Sequence, residues 1–235
     1  MKNSTKEIIN EINTYRDESK AAFLPRFFKT GKGEYGEGDQ FIGVVVPNLR
    51  IVAKKHFDAD FDTLRELLAS PYHEYRLTAL LALTYRYAKL KDHRETCVNF
   101  YVSQVDAINN WDLVDLSCYK ILGHWLFDKD KQLLYDWAKE NHLWKQRIAI
   151  ISCMHFVKQG EFKDALAIAD LLQHHPHDLI HKAVGWILRE IGKEDEQLLV
   201  DYLTPRYKEM PRTMLRYAIE RFEEGKRKAF LNSTI

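Results

Sequence analysis

The sequence predicts an all-α chain, and three observations carry that prediction. Apolar residues recur three and four positions apart along nearly the whole length. Strand-like alternation is confined to FIGVVVP at 41–47, and the breaks between periodic stretches are short. Four of the helical stretches also align with one another at an almost constant spacing.

The elements follow in order. Helical periodicity marks KEIINEINTYRDESK (6–20), FDTLRELLAS (61–70), YRLTALLALTYRYAKL (75–90) and QLLYDWAKE (132–140). It continues through RIAIISCMHFVKQ (147–159), FKDALAIADLLQ (162–173), KAVGWILREIGK (182–193) and RTMLRYAIERFEEG (212–225). In FIGVVVP, Pro47 fits the first turn of a helix running on through IVAKK, where its missing N–H costs nothing. The breaks SPY, NNW, ENHLW, QHHPHD and TPRYKEMPR suit connections between helical hairpins. The stretch of low helical character, KTGKGEYGEGDQFIG at 29–43, reads as a glycine-rich loop, ordinary or substrate-facing. It lacks the spacing of a phosphate-binding P-loop.

YRLTALLAL from Tyr75, WDLVDLSCY from Trp111, QRIAIISCM from Gln146 and HKAVGWILR from His181 start 36, 35 and 35 residues apart. A repeat of this length suggests HEAT-like stacking, in which each helix pair buries its faces against its neighbours. The expected architecture is one domain, 1–235, shaped as a curved α-solenoid with one helix of each pair lining a concave surface.

Composition sets limits. The chain has 235 residues, 46% of them hydrophobic and 29% charged, with a formal net charge of +1. That is ordinary for a globular protein and gives no bulk signal for nucleic acid, though it leaves room for a local basic face. Cys97, Cys118 and Cys153 are odd in number and lack CxxC spacing, which argues against a disulfide framework or a zinc site. The N-terminal stretch has no signal-peptide core and no run reaches membrane-spanning length, so a cytoplasmic protein is expected. His174, His175 and His177 flank Pro176 in a polar connection and read as a loop.

Aligning the repeats isolates unusual residues. Asp115 shares a column with Ala79, Ile150 and Gly185; Trp186 shares one with Leu80, Leu116 and Ile151. Trp111 stands with Tyr75, Gln146 and His181, and Arg147 with Arg76, Asp112 and Lys182. Asp112 suits the first turn or cap of its helix, where a carboxylate meets free backbone N–H groups. For Asp115 the plain alternative is a structural salt bridge to Arg147, and for the two indoles it is packing. Arg147 and Lys182 could equally form a ladder of ion pairs. Spacing alone leaves these readings open.

NNWDLVDLSCYKILGHWL, then LWKQRIAII and IHKAVGWILREIGK, resemble the DNA alkylation repair glycosylases of the AlkD group, built from HEAT-like repeats. The likeness extends through FIGVVVPNLR and YRLTALLAL, and the WDxVD and KAxGWxLRE elements are its specific part. The glycine-rich insert is similar to one branch of that family. The resemblance implies excision of N3- and N7-alkylated purines from double-stranded DNA, with no metal or nucleotide cofactor and no need to flip the base; a solenoid that wraps DNA has no need to dimerise, so a monomer is expected, with no membrane partner. It makes Asp115 the catalytic carboxylate, Trp111 and Trp186 the aromatic walls, and Arg147 a contact to the DNA backbone, to which Lys182 and Arg189 are added. A basic C-terminal stretch, 205–235, with Arg206, Lys208, Arg212, Arg216, Lys226, Arg227 and Lys228, is expected to supply further cationic surface.

These residue types suit that chemistry. An alkylated purine carries positive charge, and breaking its bond to deoxyribose moves that charge onto the sugar, where a carboxylate stabilises it. Indole faces attract cations by about 0.5–2 kcal/mol per contact. No lysine aligns beside Asp115, so no strand-cleaving lyase step is expected. Two other classes stay open: a non-catalytic solenoid that binds DNA structures, and a protein-interaction scaffold.

Overall fold

A computed structural model describes residues 4–235. The chain is all-α: among the described residues there is no strand, only an isolated bridge between Gln40 and Tyr72. The chain divides into two compact units, Met1–Ser117 and Cys118–Ile235.

The first unit contains α1 (Thr5–Asn13), α2 (Glu18–Phe27), α3 (Val46–Lys55), α4 (Phe61–Leu68), α5 (His73–Lys89), α6 (Arg94–Ser103) and α7 (Trp111–Asp115). The periodic stretch 6–20 is two helices, because Asp17 accepts from the N–H of Lys20 and starts α2 afresh. Pro47 sits in the first turn of α3, as its missing N–H predicts. Helix α5 is the axis, packing against α3, α4, α6 and α7. Leu77, Leu80, Leu81 and Leu83 are at most 1% exposed, so this helix is buried almost all round.

The second unit opens with a π-helical turn, Tyr119–Gly123, and continues through α8 (His124–Leu126), α9 (Gln132–Lys139), α10 (Leu143–Ser152) and α11 (Met154–Val157). It ends with α12 (Lys163–Leu172), α13 (Asp178–Glu194), α14 (Glu196–Leu203), α15 (Arg212–Ala218) and α16 (Glu224–Asn232). The periodic stretch 212–225 covers α15 and only the start of α16, because Glu223 caps a new helix through the N–H groups of Gly225 and Lys226. Between α12 and α13, residues 173–177 are non-helical, and His177 caps α13 by accepting from Leu179 N–H. His175 accepts from His177 N–H, and its Nε2 lies 2.9 Å from Gln146 Oε1. Among the described residues no His, Cys, Asp or Glu cluster could hold a metal ion. All three cysteines are buried free thiols.

Helix α13 packs closely on α15 at Gly185. A Cβ there would lie 2.5 Å from Tyr217 Cβ and 2.6 Å from the Met214 carbonyl oxygen. Glycine costs a helix interior about 1 kcal/mol against alanine, so close approach must outweigh propensity. Gly185→Ala is therefore expected to lower stability by about 1–3 kcal/mol, read as an earlier thermal unfolding midpoint by circular dichroism.

Candidate functional site

The first unit holds a cavity of about 670 Å3, a size typical of small-molecule sites. Its apolar walls come from Phe23 and Phe27 on α2, then Phe28, Phe41, Val44 and Leu77. Trp111, Asp112 and Asp115 of α7 complete it. Phe23 is 62% exposed and Phe27 52%, so much of the uncovered aromatic surface of this unit stands at one place.

Along this cavity FIGV runs as neither strand nor helix. The N–H groups of Ile42, Gly43 and Val44 all donate to Oε1 of Glu74, at 3.0, 2.8 and 3.3 Å. Glu74 is 2% exposed, and burial pushes its carboxyl above the usual range against the N–H groups of Gly43 and Ile42 and the charge of His73. Gly43 is required at its place: its φ is +84° and a Cβ would lie 1.9 Å from the Asp17 carbonyl oxygen.

Trp111 and Asp115 are one turn apart on α7, both half-buried and both lining the cavity. Trp111 lies parallel to Phe28, centroids 5.4 Å apart and planes at 15°, with the edge of Phe27 at 5.7 Å. Asp115 stands apart from its column, since Ala79, Ile150 and Gly185 are all buried. Asp112 does occupy the first turn, but the cap is Asn110, whose Oδ1 accepts from Trp111 N–H. The Asp112 carboxylate has a different partner, Nε2 of His73, 2.9 Å away.

That contact belongs to a buried cluster. Nδ1 of His73 lies 3.2 Å from Asp39 Oδ2, and Arg76 Nη2 pairs with Asp39 Oδ1 at 2.5 Å. Arg76 Nη1 donates to Asn109 Oδ1 at 2.6 Å, and Asn110 Nδ2 donates to Asp39 Oδ2 at 3.4 Å. Both nitrogens of His73 face carboxylates, so the ring satisfies both only as an imidazolium. Burial opposes that charge, but Asp112 and Asp39 outweigh it and raise the pKa to about 9; Arg76 acts the other way. Phe28 and Phe41 cover the ring, with centroids at 4.7 and 5.0 Å. Asp39 lies in the glycine-rich loop, whose last residues bring Phe41 and Gly43 to the cavity.

The other candidate residues stand in the second unit. Trp186 is half-buried on α13. Arg147 is 5% exposed and donates through Nη1 to the Leu179 carbonyl in the first turn of α13. Arg76, in the same repeat column, likewise donates to Asn109 just before the next repeat helix. The two arginines of the column thus each clamp the entrance of the next repeat helix. Lys182 pairs with Asp178 at 2.7 Å and keeps 39% of its side chain exposed, while Arg189 pairs with Glu220 and, at 3.6 Å, with Glu190. The basic C-terminal stretch is partly committed within the chain: Arg206 to Asp170, Lys226 to Glu196, Lys228 to Glu224 and Arg212 to the Leu231 carbonyl. Asp39, His73 and the phenylalanines escaped the sequence reading. The usable signal was FLPRFF at 23–28, with aromatic residues four apart beside the glycine-rich loop.

The comparisons agree with this architecture. A model of the family described as DNA alkylation repair enzyme matches residues 8–222. A structure described as a predicted DNA alkylation repair enzyme from Enterococcus faecalis superposes with a TM-score of 0.68 at 14% identity, covering 89% of this chain and 97% of its own. The crystal structure of AlkD2 from Streptococcus mutans gives 0.55 at 16% identity, with 88% and 99% covered. At these identities the two structures speak for the fold alone. No curated protein sequence matches.

The cluster ties stability to pH. Charged His73 is favoured in the folded state, so its contribution is fully present below about 6.5, the unfolded value, and is lost as pH rises through about 9. The groups facing it are Asp39 from the loop, Asp112 from α7, and Arg76 and Glu74 from α5. Thermal melts of wild type and His73→Gln should differ most near pH 6.5 and converge towards pH 9.

Proposed function

Because the chain belongs to the DNA alkylation repair enzyme family, we propose that it is a monofunctional glycosylase releasing cationic N3- and N7-alkylated purines from duplex DNA. The reading includes the curved solenoid with a DNA-facing concave surface. The observation that carries it is the placement of Asp115 and Trp111 together on one wall of an aromatic cavity.

Alkylation leaves the purine positively charged and its bond to C1′ weak. When that bond breaks, its electron pair stays on the base nitrogen and neutralises the base, and the sugar becomes the cation. Asp115 stabilises the cation and orients the water that bonds to C1′; the proton leaves to the carboxylate or to solvent. Trp111, its plane set by Phe28, presents π-electron density to the cationic lesion. In the second unit, Trp186 supplies aromatic surface, and Lys182 and Arg189 neutralise phosphate after exchanging their acidic partners for DNA. Arg147 acts indirectly, by holding the first turn of the helix that carries both cations and Trp186.

Release of 7-methylguanine and 3-methyladenine from alkylated duplex tests the chemistry. Asp115→Asn is expected to slow it by about 100-fold or more. Equal release by both proteins removes Asp115 from the mechanism, and DNA binding without release supports a structure-binding role instead. A separate expectation concerns phosphate contact: Lys182→Ala should weaken duplex binding and reduce the slope of log affinity against log salt by about 0.9. An unchanged slope would take Lys182 off the DNA.

A further inference from the structure

The geometry points to Asp39, His73 and Arg76 as positioning residues for the catalytic helix: buried side chains that set where Trp111 and Asp115 stand in the cavity. The catalytic role of Asp115 comes from the glycosylase reading, and the inference rests on it.

Helix α7 has five residues, too few for its own hydrogen bonds to hold it in place. Something outside must fix it, and the contacts are arranged accordingly. Three residues of the segment NNWD are tied back to α5 or the glycine-rich loop: Asn109 by Arg76, Asn110 by Asp39, and Asp112 by His73. The fourth, Trp111, lines the cavity, as does Asp115 one turn on. The motif therefore alternates anchors with working groups.

The anchors are rigid for a physical reason. Asn110 is fully buried, and the side chains of His73, Asp39 and Arg76 are 2%, 4% and 7% exposed. Two carboxylates face an imidazolium and a guanidinium, so the group is neutral as a whole and charged at each member. Removing one member leaves a buried charge without its counterpart, which the neighbours relieve by moving or by shedding charge. Geometry is also passed on through rings: Phe28 packs on His73 and on Trp111. Packing at Gly36 contributes, since a Cβ there would lie 2.6 Å from the Phe28 carbonyl oxygen and 3.2 Å from Asn110 Nδ2. None of these anchors has to touch substrate. Their effect on chemistry comes from holding the carboxylate of Asp115 to a position, where displacement by about 1 Å can cost on the order of 100-fold in rate.

The test uses the full chain with Asp39→Ala, Asp39→Asn and His73→Gln, and reads two quantities. The first is the single-turnover rate of base release at saturating protein, beside duplex affinity. The second is amide hydrogen exchange at 109–116, compared with α4 in the same unit. For Asp39→Ala the expected result is a rate lower by roughly 10- to 100-fold, affinity within about twofold, and faster exchange confined to 109–116. Asp39→Asn, which keeps shape and loses charge, should fall between wild type and Asp39→Ala. The inference is overturned by exchange at 109–116 that does not change, by loosening that spreads equally to α4, or by an unaltered rate despite a loosened α7. If wild type releases no base from any alkylated duplex, the glycosylase reading fails and this assignment to its chemistry falls with it. Confined exchange would then still show that the cluster holds α7.

Discussion

An imidazole with a carboxylate at each nitrogen has no neutral tautomer that satisfies both, because a neutral ring donates only once. In this protein that constraint lies inside the first unit, at His73, and much of the unit's local structure answers to it. Asp39 brings the end of an irregular loop to α5, Asp112 brings a one-turn helix, and Arg76 balances the charge. Buried ion clusters seldom stabilise a fold more than apolar packing of the same volume would. What they can supply is specificity of arrangement, here of a helix too short to orient itself.

The helical class was legible because its signal is redundant: a three-to-four periodicity repeated through many turns survives local exceptions. The 35-residue spacing was legible too, and its four starts fall within the first turns of α5, α7, α10 and α13. Helix boundaries were less so. Asp17 and Glu223 each begin a new helix inside an apparently continuous pattern, since a single cap overrides periodicity that favours continuation. Among the candidate residues, Trp111 and Asp115 were legible as exceptions to a repeat column. Their supports were not, because Asp39 belongs to no repeat and meets His73, Arg76 and Asn110 through tertiary proximity alone.

Arg147 shows the limit of reading one column. The column by itself left a ladder of ion pairs open, and contact with the DNA backbone is what the family resemblance implies. In both units the arginine of this column donates across to the entrance of the next repeat helix, Arg76 to Asn109 and Arg147 to Leu179. A buried carbonyl or amide oxygen at a helix entrance needs a donor, and a long side chain from the preceding repeat reaches it. The more exposed cations, such as Lys182, Arg206 and Lys226, already have acidic partners. Near-neutral net charge and pairwise commitment describe the same surface, on which these cations already face internal carboxylates.

Glu74 carries one more consequence. With Ile42, Gly43 and Val44 all donating to one oxygen of a side chain on α5, the extended segment has no second register available. A one-residue slip would strip a donor from that oxygen and put a side chain where Gly43 now meets the start of α2. An insertion or deletion between Asp39 and Pro47 is thus far less tolerable than one among the exposed glycines just before it, and natural length variation should collect on that earlier side.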